Sequence, residues 1–87
     1  MSRYTAHPDI NKVDFHTALG QAIRARREAA GMTQAAVARA IGSSQSTVEK
    51  WENGYSPAPS FAVWRLAHLF DCSCDALMVD PAREVAA

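Results

Sequence analysis

The sequence predicts an all-α protein that folds as one compact domain of five short helices. Apolar residues recur at intervals of three and four in separate segments, which is typical of amphipathic helices. Residues that favour helix ends, such as Thr33, Gly42 and Ser44, stand between those segments. No stretch shows the alternation of apolar and polar residues that predicts a strand.

The first helix is predicted to follow an N-terminal arm, residues 1–14, which we expect to be loosely ordered. Asp14 is a residue type that often caps a helix, and from Phe15 onward one face stays apolar. Gly31 then supplies a left-handed residue that ends the helix.

The second and third helices are short and nearly contiguous. Thr33 is the predicted N-cap of the second, which is rich in alanine and ends at Gly42. Ser43 or Ser44 caps the third, which turns Val48 and Trp51 inward. Asn53 and Gly54 follow as the two residue types that best tolerate a positive φ.

The fourth helix is predicted to begin after Ser60 as its N-cap, and it is apolar on most sides. Asp71 takes the left-handed position that glycine usually fills. Ser73 caps a last short helix, which ends before Pro81. We therefore expect the folded domain to span residues 15–80, with a short tail at 81–87.

Composition excludes several classes of protein. The 87 residues carry nine Lys and Arg against nine Asp and Glu, which argues against binding by bulk positive charge. No apolar run approaches the length that spans a bilayer, and the stretch Met1–Pro8 has no apolar signal region. Cys72 and Cys74 are one residue apart, a poor spacing for a disulfide. We expect a cytoplasmic protein with reduced thiols and no membrane association.

The junction between the second and third helices carries the strongest functional signal. Two helices of about two turns each, joined by a tight turn with glycine, outline a helix-turn-helix. The third helix also presents side chains that can hydrogen-bond base edges, and its N-terminal amides suit a phosphate. These outward residues are Gln45, Ser46, Thr47 and Lys50.

The run Thr33-Gln34-x-x-Val37-Ala38-x-x-Ile41-Gly42-x-Ser44-x-Ser46-Thr47-Val48-x-x-Trp51-Glu52-x-Gly54 resembles the phage-repressor (Cro/C1, or Xre) helix-turn-helix family. Leu19-Gly20 and Ile23-Arg24 fit the first helix of that family, and Leu66-Ala67 fits its fourth. The resemblance implies a lambda-repressor-like domain that binds double-stranded DNA with its third helix in the major groove.

The resemblance also implies roles for individual residues. Base-facing positions are Ser44, Gln45, Ser46 and Lys50. Phosphate contacts are implied for Gln34 and for Asn53, with Asn53 and the following loop acting through backbone amides. Arg39 and Thr47 are further candidates for phosphate contacts on their residue types. Arg27 and Glu52 occupy the positions of an internal ion pair. The loop Tyr55–Pro59 holds no basic residue where relatives often have one, so we expect a shallow salt dependence.

A single helix-turn-helix makes few base contacts, so we expect a homodimer that binds two half-sites as a repressor. The candidate interface consists of apolar residues near the C-terminal end, with Trp64 equally compatible with the core. These residues are Trp64, Phe70, Leu77, Met78 and Val79.

Two other functions remain open on the sequence. The first is an antitoxin-type protein that represses its own operon and binds a protein partner. The second is an interaction module with this fold and no DNA role. His68, Cys72 and Cys74 lack an obvious fourth zinc ligand, so neither metal nor cofactor is expected. The sequence contains no nucleophile motif or glycine-rich phosphate loop, and we expect no enzymatic activity.

Overall fold

The computed structural model describes residues 12–78, with side chains from Phe15 onward. Within these residues the chain forms five α-helices and no strand, which confirms the predicted all-α class. The helices are α1 (Lys12–Ala29), α2 (Gln34–Ile41), α3 (Gln45–Glu52), α4 (Ser60–Leu69) and α5 (Cys74–Leu77). The division into arm, domain and tail stays a prediction, because residues 1–11 and 79–87 lie outside the described part.

Three of the predicted N-caps form hydrogen bonds of the expected kind. In each, the side-chain oxygen of the cap accepts from the backbone N–H three residues later, which satisfies an otherwise unpaired donor. The donor–acceptor distances are 3.0 Å at Thr33, 3.2 Å at Ser44 and 3.1 Å at Ser73. Sequence therefore identified where α2, α3 and α5 begin.

The predicted left-handed positions are confirmed at Gly31, Gly42 and Asp71, with φ of 69°, 74° and 55°. Gly42 is the one that matters most for function, since it turns the chain between α2 and α3. A residue with a Cβ would be strained at this φ, and its Cβ would lie 3.3 Å from the Arg65 side chain.

Two predicted N-caps were wrong, and the predicted end of α3 at Asn53 and Gly54 is confirmed. Asp14 lies inside α1 rather than before it, because an aspartate is favourable both as a cap and in the first turn. Ser60 is the first residue of α4, and the extended Pro59 precedes it without a side-chain cap. Asn53 keeps a right-handed φ of −89°, so Gly54 alone takes the positive φ after α3.

The core lies where α3 packs on α1 and α2, and where α4 packs on α2 and α5. Trp51 is 5% exposed, which confirms the prediction that it belongs to the core. The other buried apolar side chains are Leu19, Ile23, Val37, Ala38, Ile41, Val48, Ala62, Val63, Leu66, Ala67 and Leu77. This core fixes α3 from both sides and leaves only its remaining face in solvent.

Gly20 allows α1 to approach the end of α3 closely. A Cβ at this position would collide with the backbone oxygen of Trp51 and would lie 2.9 Å from that of Glu52. Backbone atoms cannot move aside as a flexible side chain can, so the absence of a side chain at position 20 sets the distance between the two helices.

Candidate nucleic-acid interface

The turn between α2 and α3 is fixed by hydrogen bonds at both ends. The Ser43 N–H donates to the Ala38 carbonyl at 2.8 Å, and Gly42 also donates back into the last turn of α2. Arg65 of α4 donates from Nη1 to the Ile41 carbonyl at 2.9 Å. The last carbonyls of α2 are therefore satisfied, and α3 starts at a defined point.

The face of α3 opposite the core is exposed and polar. Val48, Trp51 and Glu52 are buried on the inner side. Outside, Gln45, Ser46, Glu49, Lys50 and Asn53 are all exposed. Three of the four residues predicted to face bases, Gln45, Ser46 and Lys50, thus lie on one continuous helical surface.

Ser44 and Thr47 are engaged with each other at the start of α3. The Ser44 Oγ lies 2.8 Å from the Thr47 Oγ1 and 3.3 Å from the Ser46 Oγ, in addition to its capping bond. The structure therefore gives Ser44 a capping role, and its predicted base contact stays a prediction. The first amides of α3, at Gln45 and Ser46, have no acceptor within the helix and suit a phosphate.

Glu49 is a candidate that the sequence analysis missed. It lies one turn after Gln45 and beside Lys50 on the exposed face of α3. Phosphates repel a carboxylate, but in the major groove it can accept from the amino group of cytosine. Its spacing of four residues from Gln45 was the available signal.

The C-terminal end of α3 is joined to α1 by the predicted ion pair. The Arg27 Nε donates to Glu52 Oε2 at 2.7 Å and its Nη2 to Oε1 at 3.2 Å. Arg27 also donates from Nη1 to the Met32 carbonyl at 2.9 Å. The pair is well shielded, with side chains 13% and 3% exposed for Arg27 and Glu52. The hydrogen bond to Glu52 raises the pKa of Arg27 above its ordinary value, so the guanidinium stays charged.

Gln34 joins the same carboxylate. Its Nε2 donates to Glu52 Oε1 at 3.0 Å, so the start of α2 is tied to the end of α3. The second N–H of this amide is the group left for the predicted phosphate contact. Within the described residues, no buried side-chain nitrogen or oxygen lacks a hydrogen-bond partner.

Asn53 and the following loop are predicted to bind phosphate through backbone amides, and the first three of these amides already donate within the protein. The N–H of Asn53 donates to Glu49 at 3.0 Å, that of Gly54 to Trp51 at 3.1 Å and that of Tyr55 to Lys50 at 2.9 Å. These donors close the end of α3 and are already used. The side chain of Asn53 and the loop amides beyond Tyr55 are left for such a contact, which stays a prediction. Arg39 is exposed at the end of α2 as expected.

The residues predicted for a dimer interface do not form one patch. Leu77 is fully buried in the core of the monomer, so its assignment to an interface was wrong. Trp64 and Met78 are 55% and 47% exposed but line different cavities. Phe70 is half-buried against the core, and Val79 lies outside the described residues.

Cys72 and Cys74 are free thiols, each half-buried against the core. Across residues 12–78, no three side chains of His, Cys, Asp or Glu are grouped to hold a metal ion. No helix in the same range is both long and apolar enough to cross a bilayer.

The helix-turn-helix family HTH_3 matches residues 23–77. This range includes the turn between α2 and α3, the exposed face of α3 and the ion pair. The chain belongs to this helix-turn-helix family. This membership confirms the resemblance to the Cro/C1 type of helix-turn-helix. The helices α2 and α3 form the helix-turn-helix, which is a DNA-binding unit. No protein with a curated description matches the chain.

Solved structures share the fold of this helix-turn-helix protein. A hypothetical transcription factor from Neisseria superposes with a TM-score of 0.78 at 18% identity, over 88% of each chain. The clp gene regulator ClgR from Corynebacterium glutamicum gives 0.75 at 24% identity, over 91% of this chain and 81% of that one. At these identities the likeness concerns the fold alone.

An enzyme also contains a similar region. The hydroxypropylphosphonic acid epoxidase from S. wedmorenis matches with a TM-score of 0.64 at 32% identity. The match covers 72% of this chain but only 34% of the epoxidase. The likeness concerns about a third of that enzyme.

Proposed function

We propose that this protein is a transcriptional regulator that binds specific sites on double-stranded DNA through α3. The observation that carries the proposal is the division of α3 into a buried face and an exposed polar face. Gln45, Ser46, Glu49 and Lys50 lie exposed on a helix whose other side is packed in the core. A rigidly held helix with free donors and acceptors suits the major groove.

Each side chain on this face favours a particular base. Gln45 can form a paired hydrogen bond with adenine, and Lys50 can donate to the acceptors of guanine. Glu49 can accept from the amino group of cytosine. The proposed half-site therefore contains these three bases within the reach of one helix.

Phosphate contacts in this proposal come from the edges of the unit. The free amides of Gln45 and Ser46, the second N–H of Gln34 and the side chains of Arg39, Thr47 and Asn53 surround the exposed face. Among these groups only Arg39 carries a positive charge, and Lys50 adds one on the exposed face itself. Because the salt dependence of binding follows the number of cationic phosphate contacts, we expect a shallow slope for each subunit.

The proposal includes a homodimer, because one recognition helix contacts too few bases to select a site. Two such helices would lie about 34 Å apart on successive turns of the major groove. A repressor of this kind acts by covering its site and excluding other proteins. It works in the compartment that holds the DNA, which we take to be the cytoplasm.

The surface that best suits self-association surrounds an apolar cavity of about 260 Å³ between α1, α4 and α5. Phe15 and Met78 stand at this cavity, 42% and 47% exposed, and none of its lining residues is charged. In a twofold dimer a patch meets its own copy, so an uncharged patch avoids repulsion. We expect Met78→Lys to produce a monomer in sedimentation and Phe61→Lys, on the outer face of α4, to leave the dimer intact.

The experiment that tests the function is a fluorescence-anisotropy titration of the protein against genomic fragments, including the region upstream of its own gene, at two salt concentrations. Tight binding to a few fragments supports a sequence-specific regulator. Equal, weak binding to every fragment contradicts it and favours the interaction module. A small protein that co-purifies in stable, stoichiometric amounts would favour the antitoxin-type function.

A further inference from the structure

An open cavity of about 600 Å³ separates the end of α2 from the outer side of α4. Arg39 lines it from α2, and Trp64, Arg65 and His68 line it from α4. Phe61 stands one turn before Arg65 on α4 and is 59% exposed. We call these five residues the cationic-aromatic face. None of them belongs to the exposed face of α3 or lines the apolar cavity beside Met78.

Much of this face is held in place before any partner binds. The Arg65 guanidinium donates to the Ile41 carbonyl at 2.9 Å and lies 5.6 Å from the centre of the Phe61 ring. The rings of Trp64 and His68 are 4.3 Å apart. His68 Nδ1 donates to the Trp64 carbonyl at 3.1 Å, since a carbonyl can only accept. Fixed side chains lose little entropy on binding, which favours association.

The charges on this face are unbalanced. Its cavity is lined by two arginines and a histidine and by no carboxylate. The ion pairs within residues 12–78 involve Arg24 and Arg27 on α1, and neither Arg39 nor Arg65 takes part in one. A chain with zero net charge thus carries a local positive surface, which complements a carboxylate.

The same face leaves two large aromatic side chains exposed to solvent. Trp64 and Phe61 are 55% and 59% exposed on adjacent turns of α4. Tryptophan and arginine are the residues that most often dominate binding energy at protein interfaces. Duplex phosphates are charged but offer no apolar group to cover an indole ring, so a peptide fits this chemistry better than DNA.

We propose that the cationic-aromatic face docks an acidic segment of another protein, in which a large apolar side chain lies next to aspartate or glutamate. The apolar side chain packs on Trp64 in the cavity, while the carboxylates pair with Arg39 and Arg65. A second copy of this chain fits less well, because a twofold contact brings the same arginines toward each other. This partner site goes beyond the proposed DNA-binding function and does not depend on it, although it shares Arg39 with the proposed phosphate contacts.

The test is anisotropy of a fluorescein-labelled ten-residue peptide, with glutamates around a central leucine and phenylalanine, titrated with the full chain. We expect saturable binding that weakens about tenfold when glutamine replaces glutamate. Trp64→Ala should weaken it by at least about tenfold and Arg39→Gln by about fivefold. Arg24→Gln, which removes an exposed arginine from α1, is the matched control and should leave it unchanged. Thermal melting of each variant verifies that it is folded.

Results of three kinds would overturn the proposal. The first is equal binding of the glutamate and glutamine peptides, or wild-type peptide binding by Trp64→Ala. The second is displacement of the peptide by a short DNA duplex together with weaker duplex binding by Trp64→Ala, which would assign this face to DNA. The third is a wild-type dimer that Trp64→Ala converts to a monomer, which would assign the face to a second copy.

Discussion

The two faces of α3 differ in how their side chains are constrained. On the inner face, Val48 and Trp51 are buried in the core, and Glu52 accepts hydrogen bonds from Arg27 and Gln34. On the outer face, the side chains of Gln45 and Lys50 are exposed, and neither makes a side-chain hydrogen bond within the described residues. One set of residues therefore fixes where the helix lies, and another set is free to bind a partner.

Because the two sets do not overlap, substitutions on the two faces should have separate effects. Inner-face changes should lower the free energy of unfolding, and outer-face changes should alter binding with little effect on stability.

Removing the Glu52 carboxylate should cost the most stability. Glu52→Ala leaves the shielded Arg27 charge and the Gln34 amide without their partner, and breaking a buried pair in this way costs about 3–5 kcal/mol. Urea unfolding followed by circular dichroism measures the loss, and Glu52→Gln gives a milder variant if the alanine variant does not fold. Arg24→Ala breaks the exposed pair with Glu28 and should cost only about 0.3–0.5 kcal/mol. Equal losses at both pairs would contradict the role of the inner face.

Adding one methyl group at Gly20 should push α1 away from α3. Gly20→Ala places a Cβ against the backbone of Trp51 and Glu52, and we expect a loss of about 2–3 kcal/mol in urea unfolding. Gly31→Ala is a useful comparison, since its Cβ meets no atom within 4 Å but its φ is 69°. Strain alone should cost about 1–2 kcal/mol there. If Gly20→Ala proves the milder substitution, close packing of the two helices is not what requires glycine.

Removing the cap of α3 should have the smallest effect of the three. Ser44→Ala removes the oxygen that accepts from the Thr47 amide, at an expected cost of about 1 kcal/mol. Ser46→Ala, two residues later on the exposed face, should change stability by less than about 0.5 kcal/mol. Thermal melts of the two variants separate capping from surface exposure, and identical melting temperatures would argue against the cap.

Features that depend on short-range chemistry were predictable from the sequence. Thr33, Ser44 and Ser73 were identified as caps because a hydroxyl before an apolar-periodic segment satisfies the first amides of a helix. Gly42 and Asp71 were identified as left-handed stops for a comparable reason. In each case the interaction joins residues at most five positions apart, so neighbouring residue types were enough.

Features that depend on how helices pack were not predictable from these patterns. The close approach at Gly20 and the bond from Gln34 to Glu52 join distant segments, and no local periodicity encodes them. Leu77 was assigned to an interface because the fourth and fifth helices were expected to hold the dimer together, whereas packing of α5 against α4 buries it in the monomer. The ion pair between Arg27 and Glu52 was foreseen only through the family resemblance.

The most direct test of the central claim compares the wild type with the Gln45→Ala/Lys50→Ala double variant. The measurement is the ratio of affinities for a selected DNA site and for a scrambled duplex of equal length, with urea unfolding recorded on the same samples. We predict that the ratio falls about ten- to a hundredfold. The free energy of unfolding should stay within about 0.5 kcal/mol of wild type. A double variant that is equally stable and keeps the wild-type ratio would show that the outer face of α3 does not select the site.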